Sequence, residues 1–319
     1  MQEAIEQARS VLVIAHLDPD GDAIGSLTAV GQALEARGKS VTLACEDNVP
    51  ARFSYLPLAG RVTKSATGPF DLVIALDCGD AGRMGSPWAD LGEPKPPLIN
   101  IDHHITNDDF GQYNRVVPEA SSTAEVLYTL FGELGFEITP GIAISLLTGI
   151  VTDTMGFRTS NVGSETLRIA GALVEAGADI ADISFVALHR KPLSGLQLWQ
   201  IGLREMQFED GLLWTAISYK DMRATGLVGN PSSSGLVNFL ADAEDAAIGA
   251  VLTETADGSV RVGLRCRPPY DVAAVARQFG GGGHILAAGC TLDGPLDKAE
   301  AQIVSACKEA IRRQRPRNQ

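Results

Sequence analysis

Four continuous apolar runs near the start of the chain constrain its fold more than any other feature: VLVIAH at 11–16, VTLAC at 41–45, DLVIALD at 71–77 and LINID at 98–102. Each is rich in β-branched residues, and a helical pattern over about 22–37 lies between the first two. Apolar strands without polar alternation, separated by helices, predict a parallel sheet covered on both faces, an α/β layout. Ligands of such sheets bind beyond the carboxyl ends of the strands.

Further along, Ser122-Thr-Ala-Glu125 has the pattern of a capping box opening a helix. Another helix begins near Thr139-Pro140 and carries Asp153 in a polar break of an apolar stretch. Between about 178 and 208 helical periodicity is interrupted by Pro192 and Gly195, which suits a connector between domains. The expected organisation is a first domain over 1–185, a helical connector over 186–208 and a second, smaller α/β domain over 209–319. In the second, strands are expected at 212–218, 248–255 and 259–267, with helices at about 271–279 and 296–313. The basic tail RRQRPRNQ reads as a solvated end.

At 319 residues and 45% hydrophobic content the chain has ample material for packed cores, yet its formal net charge is −13. A polyanion such as duplex nucleic acid is normally held by a field of Lys and Arg, so any nucleic-acid ligand is expected to be short. Five cysteines at 45, 78, 266, 290 and 307 are odd in number and lack CxxC spacing. Neither a disulfide framework nor a zinc knuckle is indicated, and a reducing cytoplasm fits. The N-terminus MQEAIEQARS has no basic n-region. No apolar stretch reaches the ~20 residues of a bilayer span, so neither export nor membrane insertion is expected.

The strand ends carry the chemistry. AHLDPDGDAIGS follows the first run, Asp77 closes the third, and Asp102-His103-His104 closes the fourth. A calcium loop starting at Asp18 fails, because its sixth and twelfth positions hold Ala23 and Ala29 rather than Gly and Glu. A turn capping the next helix accounts for Asp20 and Asp22 taken alone. Recurrence favours more: this much negative charge on one rim is repulsive unless cations neutralise it. Mixed imidazole and carboxylate donors suit borderline first-row ions, with Mn²⁺ foremost and Mg²⁺, Co²⁺ or Fe²⁺ as substitutes.

In order and spacing, His16-xxx-Asp20-x-Asp22, Asp77, Asp102-His103-His104 and Asp153 resemble the four motifs of the DHH phosphoesterase superfamily. Gly280-Gly-Gly-Gly-His284 with Ala287-Ala-Gly289 is similar to its companion DHHA1 domain. The nearest subgroup by length is the nanoRNase and pAp-phosphatase type. The resemblance implies two metal ions, one held by His16, Asp20 and Asp77, the other by Asp22, Asp77, His103 and Asp153, with Asp77 bridging. It implies an active site in a cleft between the domains. Asp102 would orient the histidines, and His104 would contact the phosphate and protonate the leaving oxygen.

Substrate-binding candidates follow in the second domain. Arg265 and Arg267 alternate on a strand and could reach one phosphate, although a solvent-facing edge explains an isolated RxR as well. In FGGGGHILAAG, Gly281, Gly282 and Gly283 would let backbone amides approach an anion. A helix starting near His284 would add its positive end, the plainer alternative being a flexible turn. Arg158 and Asn107 are weaker candidates, equally explained by an ion pair and a turn. Ser122 and Thr123 are read as capping residues, His189 and Arg190 as structural, and Cys78 as packing. The expected activity is hydrolysis of very short oligonucleotides or dinucleotides, or removal of the 3′-phosphate of pAp. A cyclic or linear dinucleotide phosphodiesterase and a non-catalytic nucleotide-binding regulator are the alternatives.

Overall fold

The four apolar runs form neighbouring strands of one parallel sheet. A computed structural model describes residues 1–224, 226 and 235–315. It divides the chain into two units, Met1–Arg190 and Lys191–Gln319. The last four residues of the basic tail lie outside the described residues.

In the first unit the order is α1 (Gln2–Gln7), β1 (Ser10–Ala15), α2 (Gly21–Ala36), β2 (Ser40–Ala44), β3 (Leu72–Leu76), α3 (Ser86–Ala89), β4 (Leu98–Asp102) and β5 (Tyr113–Val116). It continues through α4 (Thr123–Leu134), α5 (Pro140–Asp153), α6 (Ser164–Glu175) and α7 (Ile180–Ser184). β3 and β4 are buried along their whole lengths, which is why their sequences do not alternate. β5 (YNRV) is half-exposed and polar, an edge strand that leaves no apolar run to read.

The sheet order is β2-β1-β3-β4-β5. The chain leaves β1 toward β2 on one side and leaves β3 toward β4 on the other, so a crevice opens beyond the carboxyl ends of β1 and β3. His16 follows β1 there and Asp77 follows β3. Helices α2 and α5 cross closely at Gly149, where a Cβ would overlap Asp22 Oδ1 and Ala124 Cβ. That approach brings the N-terminal ends of α2 and α4 together on the flank of α5.

Ser122 caps α4 by accepting from Glu125 N, but the reciprocal half of the expected capping box is displaced by one residue. The Glu125 carboxylate instead takes Ser121 N at 3.1 Å and Ser121 Oγ at 2.5 Å, and accepts from Thr166 Oγ1 at 2.9 Å. Asp153 is the last residue of α5 rather than a break inside it.

The second unit runs α8 (Leu193–Arg204), β6 (Gln207–Glu209), β7 (Leu212–Ile217), α9 (Tyr219–Ala224), α10 (Leu236–Ala241), β8 (Ile248–Glu254) and β9 (Ser259–Cys266). It ends with α11 (Ala273–Arg277), β10 (Gly282–His284), β11 (Ala287–Asp293) and α12 (Leu296–Gln314). Its sheet order is β10-β11-β9-β8-β7-β6, antiparallel except for the β7/β8 pair. Pro192 caps α8 and Gly195 lies within it, so only the proline interrupts the chain there. No described helix is long and apolar enough to cross a membrane.

The helix expected from His284 does not form. His284 ends β10, which turns at Ile285-Leu286 and pairs antiparallel with β11. A Cβ on Gly281 would overlap Gly289 O and Cys290, and one on Gly283 would overlap Ala287 O and Ala288. The run of glycines therefore lets a strand lie flush on its neighbour, and no helix dipole is present at this point.

Candidate metal centre

Three groups of donors converge at the crevice, each with ligand atoms within 4.8 Å of one another: His16, Asp20 and Asp77; Asp77, His103 and His104; Asp22, His103 and Asp153. His16 Nε2 lies 3.4 Å from Asp77 Oδ2 and 3.9 Å from Asp20 Oδ1. His103 Nε2 lies 3.8 Å from Asp77 Oδ1 and 3.4 Å from Asp153 Oδ2. Asp77 is common to two of the groups, facing an imidazole with each oxygen. All six residues expected to hold metal are thus brought together.

Local structure fixes three of the carboxylates. Asp20 serves both readings, since its Oδ1 accepts from Asp22 N and Ala23 N as the α2 cap while the side chain borders His16. Asp22 is fully buried and accepts Thr123 N at 2.6 Å and Ala124 N at 2.9 Å. The first amides of α4 thus hold a carboxylate delivered by α2, a favourable pairing with the helix dipole. Asp77 adopts φ 59°, a left-handed backbone that Asp tolerates better than most side chains. Thr123 Oγ1 donates to Asp77 Oδ1 at 2.9 Å.

Electrostatics test whether the donor set fits a metal. Burial, followed by the charges of Asp77, Asp153 and Asp20, drives the Asp22 carboxyl well above its ordinary range. Burial and Asp77 push Asp153 up to about 8, and its position at the C-terminal end of α5 adds the unfavourable pole of a helix. Burial works against the Asp77 anion too, but the His16 contact and the charges of His16, His103 and His104 hold it well below the usual carboxylate range. Surplus buried carboxylate beside converging imidazole nitrogen is what a divalent cation compensates, so the residues fit one.

His104 stands slightly apart. Its Nδ1 lies 2.7 Å from Asp102 Oδ1 and 3.6 Å from Asp77 Oδ1. Asp102 is fully buried and also accepts His103 N at 2.8 Å. Asn107 is engaged inside the protein: its Nδ2 donates to Asp102 Oδ2 at 2.6 Å and to Cys78 O at 2.9 Å. Of its two readings the turn is formed, since Asn107 Oδ1 accepts from Asp109 N at 2.8 Å while the amide nitrogen faces the carboxylate behind His104. Arg158 is exposed in the turn after α5, its N donating to Thr154 O. Cys78 is buried, and all five cysteines are free thiols.

In the second unit, Arg265 lies on β9, half-buried, with Nη1 donating to Leu264 O. Arg267 lies past the strand end, and its Nη2 donates to Ala243 O, Glu244 O and Ala246 O. The alternation expected of the pair along one strand is not formed, because β9 ends at Cys266 and Arg267 ties down the loop after α10. Gly282, Gly283 and His284 are exposed on the β10 edge, whereas Gly281, just before the strand, is half-buried against Gly289 and Cys290.

The sequence and this geometry agree with known proteins. The N-terminal domain of the DHH family matches residues 10–150, and the DHHA1 domain matches residues 227–313. A bifunctional oligoribonuclease and PAP phosphatase NrnA of Thermus thermophilus is 34% identical over 95% of this chain and 90% of its own length. The chain belongs to the DHH family. A DHH-family relative of the same description in Bacillus subtilis is 26% identical over 94% of this chain and 95% of its own. The fold is shared with an exopolyphosphatase-related protein of Bacteroides fragilis, at TM-score 0.90 and 23% identity over 96% of this chain and 94% of that one.

Three residues at this DHH-family centre escape a reading of the sequence. Thr123 is hidden behind the capping signal of Ser122. Arg83, in the turn after Asp77, places Nη2 2.9 Å from His16 Nδ1. Asn100 is a fully buried amide inside β4, and its place in the apolar run LINID was the signal available.

Proposed function

We propose that this chain is a metal-dependent phosphoesterase that hydrolyses very short oligonucleotides to mononucleotides and removes the 3′-phosphate of pAp. The observation that carries the reading is Asp77, shared between two groups of imidazole and carboxylate donors at the switch point of a parallel sheet. The activities named for the Thermus thermophilus and Bacillus subtilis relatives support the substrate class.

In this reading His16, Asp20 and Asp77 hold one divalent cation and Asp22, Asp77, His103 and Asp153 a second, Mn²⁺ being preferred. Such a pair supplies a water of lowered pKa and neutralises charge developing on phosphorus. The chain's own residues do the rest. His104, whose Nδ1 bonds to Asp102 and is made more basic by that contact, delivers a proton to the leaving oxygen. Arg265 and His284 of the second unit recognise nucleotide phosphate and base, the exposed glycine strand leaving backbone groups open beside them. Free thiols and small intracellular substrates suit a cytoplasmic location.

A cyclic dinucleotide phosphodiesterase is the second reading. The cyclic-di-AMP phosphodiesterase PdeA of Listeria monocytogenes is 24% identical over 96% of this chain, but the match spans only 48% of that protein. Incubation with Mn²⁺ and pAp, pApA, longer oligomers or cyclic-di-AMP, with release of phosphate or mononucleotide followed, separates the readings. Turnover of pAp and pApA is expected. Binding without turnover of any of them would leave a regulator instead. Asp77→Ala is expected to abolish kcat, whereas His284→Ala should mainly raise KM.

A further inference from the structure

The buried amide of Asn100 begins a chain of hydrogen bonds that ends at His104, and its direction can be assigned without ambiguity. Asn114, on β5, is fixed by backbone groups alone: Oδ1 accepts Gly111 N at 3.0 Å, and Nδ2 donates to Asp109 O and Gly111 O at 3.0 and 2.9 Å. Its amide cannot be flipped without setting acceptor against acceptor. Asn100 must therefore present Nδ2 to Asn114 Oδ1, at 3.2 Å, and to Asn107 Oδ1, at 2.9 Å. Asn107 Oδ1 is independently assigned as an acceptor by Asp109 N at 2.8 Å. Its Nδ2 is then compelled to face Cys78 O and Asp102 Oδ2.

At the end of this chain Asp102 receives donors on both oxygens. Asn107 fills Oδ2, while His103 N and His104 Nδ1 converge on Oδ1. Nitrogen donors on both oxygens suit a carboxylate in its ionised, acceptor-only form. An anion clamped on both sides cannot rotate about its Cβ–Cγ bond. His104 is thereby obliged to direct Nδ1–H inward, which turns its Nε2 edge away from Asp102. Without the asparagines, Asp102 would be held by its neighbouring histidines only, and the ring would be free to tilt or flip. A polar amide at full burial inside an apolar strand is costly unless its partners are satisfied, and here they are Asn107, on the path toward His104, and the backbone-anchored Asn114.

We propose that Asn107, backed by Asn100, is a positioning residue that locks the His104 ring for proton delivery without taking part in metal binding. The proposal rests on the phosphoesterase reading for its kinetic consequence, but not for its spectroscopic one. The test compares full-length wild type, Asn107→Ala and Asn100→Val, the second replacing a buried amide by a residue that suits a parallel strand and so guarding against a variant that fails to fold.

In the Mg²⁺-loaded, ¹⁵N-labelled protein, a downfield His104 Nδ1–H resonance, assigned by its loss in His104→Gln, should be sharp and slowly exchanging. It is expected to broaden in Asn107→Ala and in Asn100→Val. With Mn²⁺ and pAp, kcat of Asn107→Ala should fall about 10- to 100-fold, the range found when residues supporting a metal-site imidazole are removed. KM and the Mn²⁺ dissociation constant should stay within about 3-fold of wild type.

An unchanged resonance in both variants would overturn the proposal, as would Mn²⁺ affinity falling in step with kcat. A wild type that shows the resonance but turns over neither pAp nor pApA would refute the phosphoesterase reading and leave the positioning role standing on the spectra.

Discussion

Thr123 shows how much one side chain settles at this centre. Its amide donates to Asp22 and its hydroxyl to Asp77, so a single residue at the first turn of α4 fixes carboxylates from two different elements. Replacing it by Val keeps the shape and the amide but removes the hydroxyl, leaving Asp77 Oδ1 one donor short. Mn²⁺ affinity of Thr123→Val, measured by titration calorimetry, is expected to fall about 10-fold, in line with other residues that orient ligands from behind. Thr123→Ser should restore it. Affinity untouched by the valine would mean that the imidazoles alone set the position of Asp77. Sequence showed Thr123 only as part of a cap, because a hydroxyl at N1 and a hydroxyl that supports a ligand read identically until α4 is laid against β3.

At the scale of elements, legibility followed burial. β1, β3 and β4 could be read directly, since strands covered on both faces must be apolar throughout, and acids at their carboxyl ends then had only one rim to occupy. Of the edge strands only β2, apolar and buried at its carboxyl end, could be read; β5 is polar, β6 is three exposed residues, and β10 is made of Gly-Gly-His. The glycine run was the instructive failure. Its composition suited an anion cradle at a helix start, whereas its cause is steric, a strand seated against the backbone of β11. The two causes separate by substitution. Gly281→Ala forces a Cβ onto Gly289 O and Cys290 and should cost about 1–3 kcal/mol. Gly282→Ala meets nothing within 4 Å and should be neutral within about 0.5 kcal/mol. Hydrogen exchange over β10 and β11 together with the thermal midpoint checks both. Equal effects from the two alanines would return the run to its first reading, as a loop shaped for a ligand.

For the whole molecule, the centre makes stability a function of pH and metal together. Asp153 is pushed up to about 8 and Asp22 is displaced in the same direction, against about 4 for an unfolded carboxylate. The folded, metal-free protein therefore holds protons that the unfolded chain has released, so its stability falls as pH rises from about 4 to about 8. His16 and His104 are raised as well; their contribution is full below about 6.5 and is lost as pH climbs through their folded values, which has the same sign. Asp77 runs the other way, but its window lies below its ordinary value and outside this range. In EDTA the unfolding midpoint of the first unit should thus decline between about pH 5.5 and about pH 8.5. The sequence pI near 4.8 offers a competing cause, general self-repulsion as charge accumulates. Asp153→Asn distinguishes them, since it removes one negative charge out of many but should visibly flatten the slope if the crowded rim is responsible. Divalent metal must displace the same protons, so binding tightens with pH, and the rise in midpoint on adding excess Mn²⁺ should be larger at the alkaline end. Scanning calorimetry across the series checks each part. A midpoint that Mn²⁺ leaves unmoved at every pH would show that protein groups already compensate these carboxylates, and the metal centre would have to be abandoned.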